Sequence, residues 1–193
     1  MAIENALERF PRDVKTKAGL TVRLQPLTKT DHAAFHEFFS AMQPKELMYL
    51  KHRVTDPEVL RKWCENIDLG HNCPLLAWHD GKVVGVCTLH QALGGWKRHI
   101  GRLSAHVRPD FRNQGIARLL TGEVVEIARQ CGLERLLAEF LGEQEQAMKV
   151  CALQGFEELY RLDDFVKDMQ AISHNYVVMG LHLITDEEYA GMG

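Results

Sequence analysis

The sequence lacks several patterns that would assign it to a class of protein at once. It has no uninterrupted apolar run close to the ~18 residues of a membrane span, and its first residues lack the apolar core of a signal peptide. Its five cysteines are scattered and form no CxxC pair, which argues against a disulfide framework and against a zinc site. Ten histidines are present, but neither HxH nor HExxH occurs, so we expect no bound metal.

Charge and length narrow the class further. The formal net charge is −3, which argues against a protein that binds nucleic acid through bulk positive charge. With no long apolar run, we expect no membrane association either. The 193 residues suit one domain, which we place at residues 19–193 after a polar lead-in at residues 1–18. Scattered cysteines in odd number favour a reducing cytoplasm as the location.

Apolar periodicity divides the chain into strand and helix patterns. Asp80-Gly81 between two apolar runs is typical of a β-hairpin, and Gly132 ends a long amphipathic helix where glycine easily adopts a left-handed conformation. The patterns predict strands at 20–27, on both sides of the hairpin within 74–90, and at 99–107, 134–141, 156–162 and 175–184. They predict helices at 30–42, 56–67, 115–131 and 143–154.

The stretch from residue 99 to residue 141 has the order strand, helix, strand, which is a crossover unit. Strands joined by a crossover are parallel neighbours, whereas strands joined by a hairpin are antiparallel. The sequence therefore predicts one α+β (mixed α/β) domain that contains both kinds of pairing.

The turn that opens the helix at 115–131 has the chemistry of an anion site. The first amides of a helix have no partner within it, and the helix dipole adds partial positive charge, so such a site suits phosphate. Gly115 lets bare backbone approach a ligand, and Arg112 and Arg118 add charge on both sides. Neither a Walker loop nor GxGxxG occurs. The turn favours a diphosphate; the alternative is an ordinary strand–turn–helix with a surface arginine.

Two motifs resemble those of the GNAT superfamily of N-acetyltransferases. VRPDFRNQGIARLL resembles motif A, [QR]-x-x-G-x-[GA] after a strand ending V-x-P, through Arg112, Gly115 and Ala117. AMKVCALQGF resembles motif B, A-x-x-x-Y-x-x-x-G-F, through its first alanine and the closing Gly155 and Phe156. The resemblance implies a GNAT-like central, mostly antiparallel sheet of about seven strands with a splayed parallel pair, flanked by four helices. It also implies acetyl-CoA (coenzyme A) as acyl donor.

The same resemblance assigns residues to the coenzyme. Main-chain groups of Ala105 and Val107 are expected to meet the pantetheine arm, and Gln144 stands where the family has an asparagine. The pyrophosphate is expected on the motif A turn, residues 112–118, which we call the cradle. Its residues are Arg112, Asn113, Gln114, Gly115, Ile116, Ala117 and Arg118.

The activity that the resemblance implies is transfer of the acetyl group to a primary amine by direct attack in a ternary complex. The amine must be neutral to attack, although an amine with a pKa of ~10.4 is mostly protonated at neutral pH. The leaving thiolate can take a proton from a general acid, often a tyrosine in motif B. Cys151 stands in that position and is our candidate for the acid, with core packing as the alternative.

No general base is evident. The positions that relatives use correspond to Gly101 and Leu103, which carry no titratable group. Of His99, His106 and Glu139 nearby, His99 shares the strand parity of those positions, so we rank it first. His106 has the opposite parity, which a β-bulge could reverse. A water chain that reaches bulk solvent is the alternative.

The C-terminal stretch YRLDDFVKDMQAISHNYVVMGLHL is similar to the end of prokaryotic GNAT protein acetyltransferases. This similarity implies a protein amine, a lysine or an N-terminus, as acceptor, with a small-molecule amine as the alternative. The missing tyrosine and base leave a second class open, a non-catalytic acyl-CoA-binding sensor or interaction module. Dimers are common in the family, so a homodimer through an exposed final strand is also expected.

Overall fold

The computed structural model describes residues 3–47, 54–168 and 170–183, which form one mixed sheet with helices on both faces. No helix within these ranges is both long and apolar enough to cross a membrane. The strands are β1 (Arg12–Lys15), β2 (Thr21–Pro26), β3 (Asn72–His79), β4 (Lys82–Gln91), β5 (Ile100–Val107), β6 (Arg135–Leu141), β7 (Glu157–Lys167) and β8 (Ser173–His182). The helices are α1 (Ile3–Leu7), α2 (His32–Ser40), α3 (Pro44–Leu47), α4 (Pro57–Glu65), α5 (Ile116–Gln130) and α6 (Glu145–Ala152).

The strand order is β1-β2-β3-β4-β5-β6-β8-β7, and β5 and β6 are the parallel pair that the crossover pattern predicted. They pair over Ile100–Leu103 and Arg135–Ala138, and α5 connects them. The other strand pairs of the described residues are antiparallel. The hairpin is confirmed as well, because Asp80 and Gly81 both have the positive φ that a type I′ turn requires.

The first 18 residues contain more structure than their polar composition indicated. α1 packs against α5 with Ile3 and Ala6 buried, and β1 pairs with β2 at the edge of the sheet. β1 is only four residues long, and its alternate residues are exposed, so it forms without an apolar run. With β1, the sheet has eight strands within the described residues, one more than the approximate number expected.

The opposite edge of the sheet differs from the expectation that the final strand is exposed. β8 lies between β6 and β7, so β7 forms the edge. β7 also extends to Lys167, through two irregularities of register at Glu158/Tyr160 and Leu162/Val166, where the sequence predicted a loop. Pairing with another chain at this edge would therefore involve β7.

Two apolar cores lie on opposite faces of the sheet. The face that we call the α5 face is covered by α1, α5 and α6, and the α2 face is covered by α2 and α4. Phe35, Phe38 and Phe39 of α2 are buried in the α2-face core. The rings of Phe35 and Trp63 lie 5.4 Å apart and join α2 to α4.

Gly85 in β4 allows α5 to lie close to the sheet. A Cβ at this position would lie 2.7 Å from Ile116 Cγ2 and 3.0 Å from Leu120 Cδ1. Ile116 is the first residue of α5, so this contact sets where the helix begins relative to β4 and β5. The N-terminus of α5 is thereby held beside the C-terminal end of β5.

Candidate active site

The parallel strands β5 and β6 separate towards their C-terminal ends. Pairing between them stops at Leu103 and Ala138, although β5 continues to Val107 and β6 to Leu141. Beyond that point β5 stays paired with β4, and β6 stays paired with β8. Each strand is thus held by its outer neighbour, and a gap opens between the two, as the splayed pair of the resemblance implied.

A cavity of about 110 Å³ occupies this gap. Its walls come from β5, β6, α5 and α6: Leu103, Ser104, Ala105, His106, Ala117, Thr121, Glu139, Phe140, Gln144, Ala147, Val150 and Cys151. Successive side chains of a strand point to opposite faces, and four consecutive residues of β5 line this cavity. The cavity therefore passes through the sheet, from the α5 face to the α2 face.

Main-chain groups on one side of β5 point into this cavity. Arg108 donates its N–H to the Val84 carbonyl at 3.0 Å, which fixes the phase of the β4–β5 ladder. Hydrogen-bonded pairs alternate along an antiparallel ladder, so Ala105 and Val107 direct their N–H and C=O groups away from β4. The Val107 carbonyl accepts a hydrogen bond from Arg112 Nε at 3.4 Å, which agrees with that direction.

The cradle presents unshared amide groups at the start of α5. Asn113 and Gly115 have φ values of 62° and 81°, and a left-handed residue among right-handed ones turns successive N–H groups towards one side. Leu119 makes the first hydrogen bond of the helix, to the Gly115 carbonyl at 3.0 Å. Within the described part of the chain, the N–H groups of residues 113–118 donate to no protein acceptor. An anion bound here would meet these donors and the positive end of the helix dipole.

The side chain of Arg112 connects the cradle to neighbouring elements. Its guanidinium forms an ion pair with Glu46 of α3, and its Nε donates to the Val107 carbonyl. These two contacts tie the loop to a helix on one side and to the end of β5 on the other. Arg112 therefore supports the shape of the cradle, whereas Arg118 points into a neighbouring hollow.

This hollow has a volume of about 290 Å³ and adjoins the cradle on the outer side of α5. We call it the basic hollow, because Lys15, Lys17 and Arg118 line it and none of the three has an ion pair among the described residues. Glu123 also lines it, but its carboxylate pairs with Arg9 at 3.1 Å and with a second arginine of the N-terminal segment. The hollow thus holds positive charge that the protein does not neutralise.

Cys151 of α6 lies in the cavity wall on the α5 face. Its side chain is 3% exposed and belongs to the core, and burial raises the pKa of the thiol to about 12. Such burial favours core packing, the alternative to a role as general acid. Gln144 precedes α6 and accepts the Leu141 N–H at 2.8 Å through its side chain, so it fixes the end of β6 at the cavity.

His99 does not reach the cavity. It precedes β5 at the paired end, where its carbonyl accepts the N–H groups of Glu134 at 2.9 Å and Arg135 at 3.3 Å. Gly101 faces the α5-face core, since a Cβ there would lie 2.7 Å from a methyl group of Leu133. Gly101, one of the positions that the resemblance aligned with a base, is therefore part of the core packing in this chain.

His106 and Glu139, the other candidates for a base, do line the cavity. His106 lies opposite Val86 on the α2 face, and burial lowers its pKa below the usual value for histidine. Glu139 pairs with Arg102 at 3.1 Å. Burial, and then the nearby Glu139 carboxylate, raise the pKa of Tyr176.

A row of polar side chains that local sequence patterns do not indicate lies beside this opening. His90 of β4 places Nε2 at 3.2 Å from Ser104 Oγ of β5, and Nδ1 at 2.7 Å from Asn72 Oδ1 of β3. Asn72 stands directly opposite His90, and both lie on the α2 face with Ser104. The three residues are far apart along the chain, so only the register of three strands could have identified them.

Comparisons with known proteins agree with this architecture. Residues 33–156 match the family model described as the acetyltransferase (GNAT) family. The ribosomal-protein-S5-alanine acetyltransferase of Vibrio fischeri has a TM-score of 0.75 at 12% identity, over 89% of this chain and 96% of that one. The ribosomal-protein-alanine N-acetyltransferase of Brucella melitensis has a TM-score of 0.71 at 24% identity, over 82% and 98%. RimJ of Mycobacterium smegmatis, solved with CoA-disulfide, has a TM-score of 0.72 at 19% identity, over 90% and 88%. At these identities the similarity to the three structures is one of fold.

Proposed function

Because this chain belongs to the acetyltransferase (GNAT) family, we propose that it moves the acetyl group of acetyl-CoA to a primary amine by direct attack in a ternary complex. The observation that carries this proposal is the gap between β5 and β6, which passes through the sheet and ends beside the unshared amides of the cradle. Such a passage allows the donor to enter from one face and the acceptor from the other.

The cradle supports binding of the coenzyme's pyrophosphate. Phosphate oxygens accept hydrogen bonds, and the cradle offers consecutive N–H donors at a helix N-terminus. Gly115 adopts a left-handed φ of 81° that glycine tolerates, and a Cβ there would lie 3.5 Å from Thr16 Cβ. Ala117 belongs to both the cradle and the cavity wall, so a ligand held by the cradle can continue directly into the cavity.

The cavity suits the pantetheine arm. Beyond Leu103, β5 has no partner strand on the β6 side among the described residues, so the arm can bond to Ala105 and Val107 as an added strand would. The small side chains of Ala117 and Ala147 keep the α5-face part of the passage open. The thioester at the end of the arm would then lie level with β5, where an acceptor on the α2 face can reach it.

The basic hollow suits the nucleotide end of the coenzyme, which carries a phosphate monoester. Lys15, Lys17 and Arg118 attract such an anion, because no carboxylate within the described residues neutralises them. We expect coenzyme A to bind more tightly than dephospho-CoA, which lacks this phosphate. Lys15→Gln combined with Lys17→Gln should reduce that difference in calorimetry.

The acceptor that we propose is a protein amine, an N-terminus or a lysine, with a small-molecule amine as the alternative. Support comes from the two similar structures that are ribosomal-protein alanine acetyltransferases. On the α2 face, the Glu139 carboxylate at the cavity can attract a cationic amine before it loses its proton. A location in the cytoplasm is part of this proposal and is supported by five free cysteines.

A homodimer remains a prediction, with β7 as its proposed interface. β7 is an edge strand, and Leu159 and Phe165 on it are 53% and 63% exposed. An exposed edge with apolar side chains is suited to pairing with a second copy. Light scattering of the wild type and of Phe165→Lys measures this directly, because the charge should keep the chain monomeric.

The test of the cradle is Gly115→Glu. The new side chain would bring bulk and negative charge to the proposed phosphate site, so acetyl-CoA affinity measured by calorimetry should fall at least ~100-fold. Gly132→Glu is the matched control, because Gly132 also has a positive φ and lies at the other end of α5 with nothing within 4 Å of its Cβ position. Equal affinity of the two variants would contradict the cradle.

The test of transfer is release of coenzyme A from acetyl-CoA in the presence of defined acceptors. The panel contains a peptide with a free N-terminal alanine and no lysine, a peptide with one lysine and a blocked N-terminus, and a small diamine. We expect release with at least one peptide. Tight binding of acetyl-CoA without release on any acceptor would instead indicate a non-catalytic acyl-CoA-binding module.

A further inference from the structure

Ser104, His90 and Asn72 form a hydrogen-bonded chain across three neighbouring strands. His90 Nε2 lies 3.2 Å from Ser104 Oγ, and His90 Nδ1 lies 2.7 Å from Asn72 Oδ1. An amide oxygen can only accept, so Nδ1 carries the proton that it donates to Asn72. Nε2 is then the basic nitrogen, and the Ser104 hydroxyl donates to it. This order of hydroxyl, basic nitrogen and orienting group activates a serine hydroxyl for proton transfer and for attack on carbonyl groups.

The chain ends at the cavity. Ser104 is a lining residue, whereas His90 and Asn72 lie behind it on β4 and β3. Within the described part of the chain, β5 has no strand partner beyond Leu103 on the β6 side, so the hydroxyl lies at the point where the passage opens to the α2 face. This is the side from which the acceptor approaches in the proposed function.

We propose that Ser104 is a catalytic residue that transfers the proton of the attacking amine to His90, and that His90 and Asn72 position and activate it. This inference rests on the proposed acetyl transfer. As the amine nitrogen bonds to the thioester carbon, its N–H proton passes to Ser104 Oγ, and the proton of Ser104 passes to His90 Nε2. The C–S bond then breaks, and coenzyme A leaves as the thiolate. The imidazolium returns its proton to bulk water, which restores the starting state.

The other titratable groups at the cavity are less suited to this role. Glu139 is held in an ion pair with Arg102 at 3.1 Å. His106 has no hydrogen-bond partner among the described residues that would orient its ring. His90, by contrast, is fixed at both nitrogens.

Charged side chains lie on the elements around His90. Arg102 stands directly opposite it on β5, and Glu139 lies one strand further on β6. The pair of Asp68 and His71 lies in the turn that leads into β3.

The experiment compares Ser104→Ala, His90→Gln and Asn72→Asp with the wild type, with the alanine peptide, the lysine peptide and the diamine as acceptors. Ser104→Ala and His90→Gln should each lower kcat about 100-fold, the scale of general base catalysis, with acetyl-CoA affinity unchanged. The controls are Thr88→Val, which removes a hydroxyl opposite Ser104, and His182→Gln, which removes an exposed imidazole on β8. Both should keep the wild-type kcat.

A pH profile separates this role from a structural one. Asn72→Asp sets a carboxylate against the Nδ1 proton and stabilises the imidazolium, so the acidic limb of kcat/KM should move to higher pH while activity at high pH is retained. His90→Gln should remove that limb. A residue that merely supported the fold would lower activity equally at all pH values.

Three outcomes overturn the inference, and they differ in whether the proposed acetyl transfer fails as well. If the wild type binds acetyl-CoA but transfers to no acceptor, the proposed function fails and the inference fails with it. If the wild type transfers and Ser104→Ala and His90→Gln keep kcat within about twofold, only the inference fails. If intact-mass measurement during turnover finds an acetyl group on Ser104, the residue is a nucleophile and the proton transfer is wrong.

Discussion

The two ends of the β5–β6 pair are built from the same strands but serve opposite purposes. At the paired end, Ile100–Leu103 bond to β6, and leucines fill the space over Gly101. At the open end, the strands part, and small residues such as Ala105, Ala117 and Ala147 leave a passage. In this pair of strands, leucines close the paired end into core, whereas alanines contribute to the open end, where a cavity lies.

The largest effect is expected from overfilling the paired end with Gly101→Val. The Cβ alone would lie 2.7 Å from Leu133, 2.8 Å from Leu136 and 3.1 Å from Leu89. Overpacking of this kind costs about 3 kcal/mol, which urea unfolding would measure. Gly94→Val is the control, because nothing lies within 4 Å of its Cβ position. Equal stability of the two variants would mean that the paired end is not tightly packed.

The reverse change fills the open end with Ala147→Leu. The larger side chain should block the passage and reduce acetyl-CoA affinity about 100-fold, equivalent to ~2.7 kcal/mol, without loss of folding stability. Ala152→Leu on the exposed side of the same helix is the control. Calorimetry and urea unfolding together test this pair. Destabilisation by Ala147→Leu with normal affinity would show that the cavity belongs to the core.

A smaller effect is expected at the cavity wall from Cys151→Ala. The thiol is buried, so its removal should cost about 1 kcal/mol of stability through lost packing. If the thiol only packs, kcat should stay within about twofold of the wild type. A large loss of kcat at unchanged stability would instead identify Cys151 as the general acid.

The smallest effect is a pH dependence at the β7–β8 connection. His174 contacts Glu143 at 2.6 Å and Asp168 at 3.1 Å; the hydrogen bonds that its ring donates to these carboxylates raise the pKa of His174, and the pKa values of both carboxylates are lowered. The stabilisation from His174 is fully present below its ordinary pKa of ~6.5 and is lost as pH rises through the raised value. The stabilisation from the two carboxylates is lost as pH falls through their lowered pKa values.

Amide exchange in this connection, corrected for intrinsic rates, should therefore be faster at about pH 9 than at about pH 6. His174→Gln is the matched variant, since it keeps a polar side chain without the titration. Its corrected exchange should not change between the two pH values. The same pH response in both proteins would exclude His174 as the cause.

Local patterns carried most of the fold prediction. The hairpin at Asp80-Gly81, the helix that begins after Gly115 and the parallel crossover each depend on residues close together in sequence, and all three are confirmed. β1 was missed because its residues, RDVK, form a strand only through their pairing with β2. Local patterns also could not locate His99 relative to the cavity. Strand alternation predicts the face on which a side chain lies, but not the end of the strand at which a cavity opens.

The sequence by itself determined the cradle, because residues 112–118 are contiguous and glycine at a helix start acts through local backbone geometry. The tertiary structure alone decided the row of Ser104, His90 and Asn72. A register shift at Ala77/Trp78 sets Asn72 opposite His90. If the pairing of His79 with Lys82 continued along the strands without this shift, Asn72 would lie opposite Leu89. A shift of one residue moves a side chain to the other face of the sheet, so the packing of side chains into the two cores sets this register.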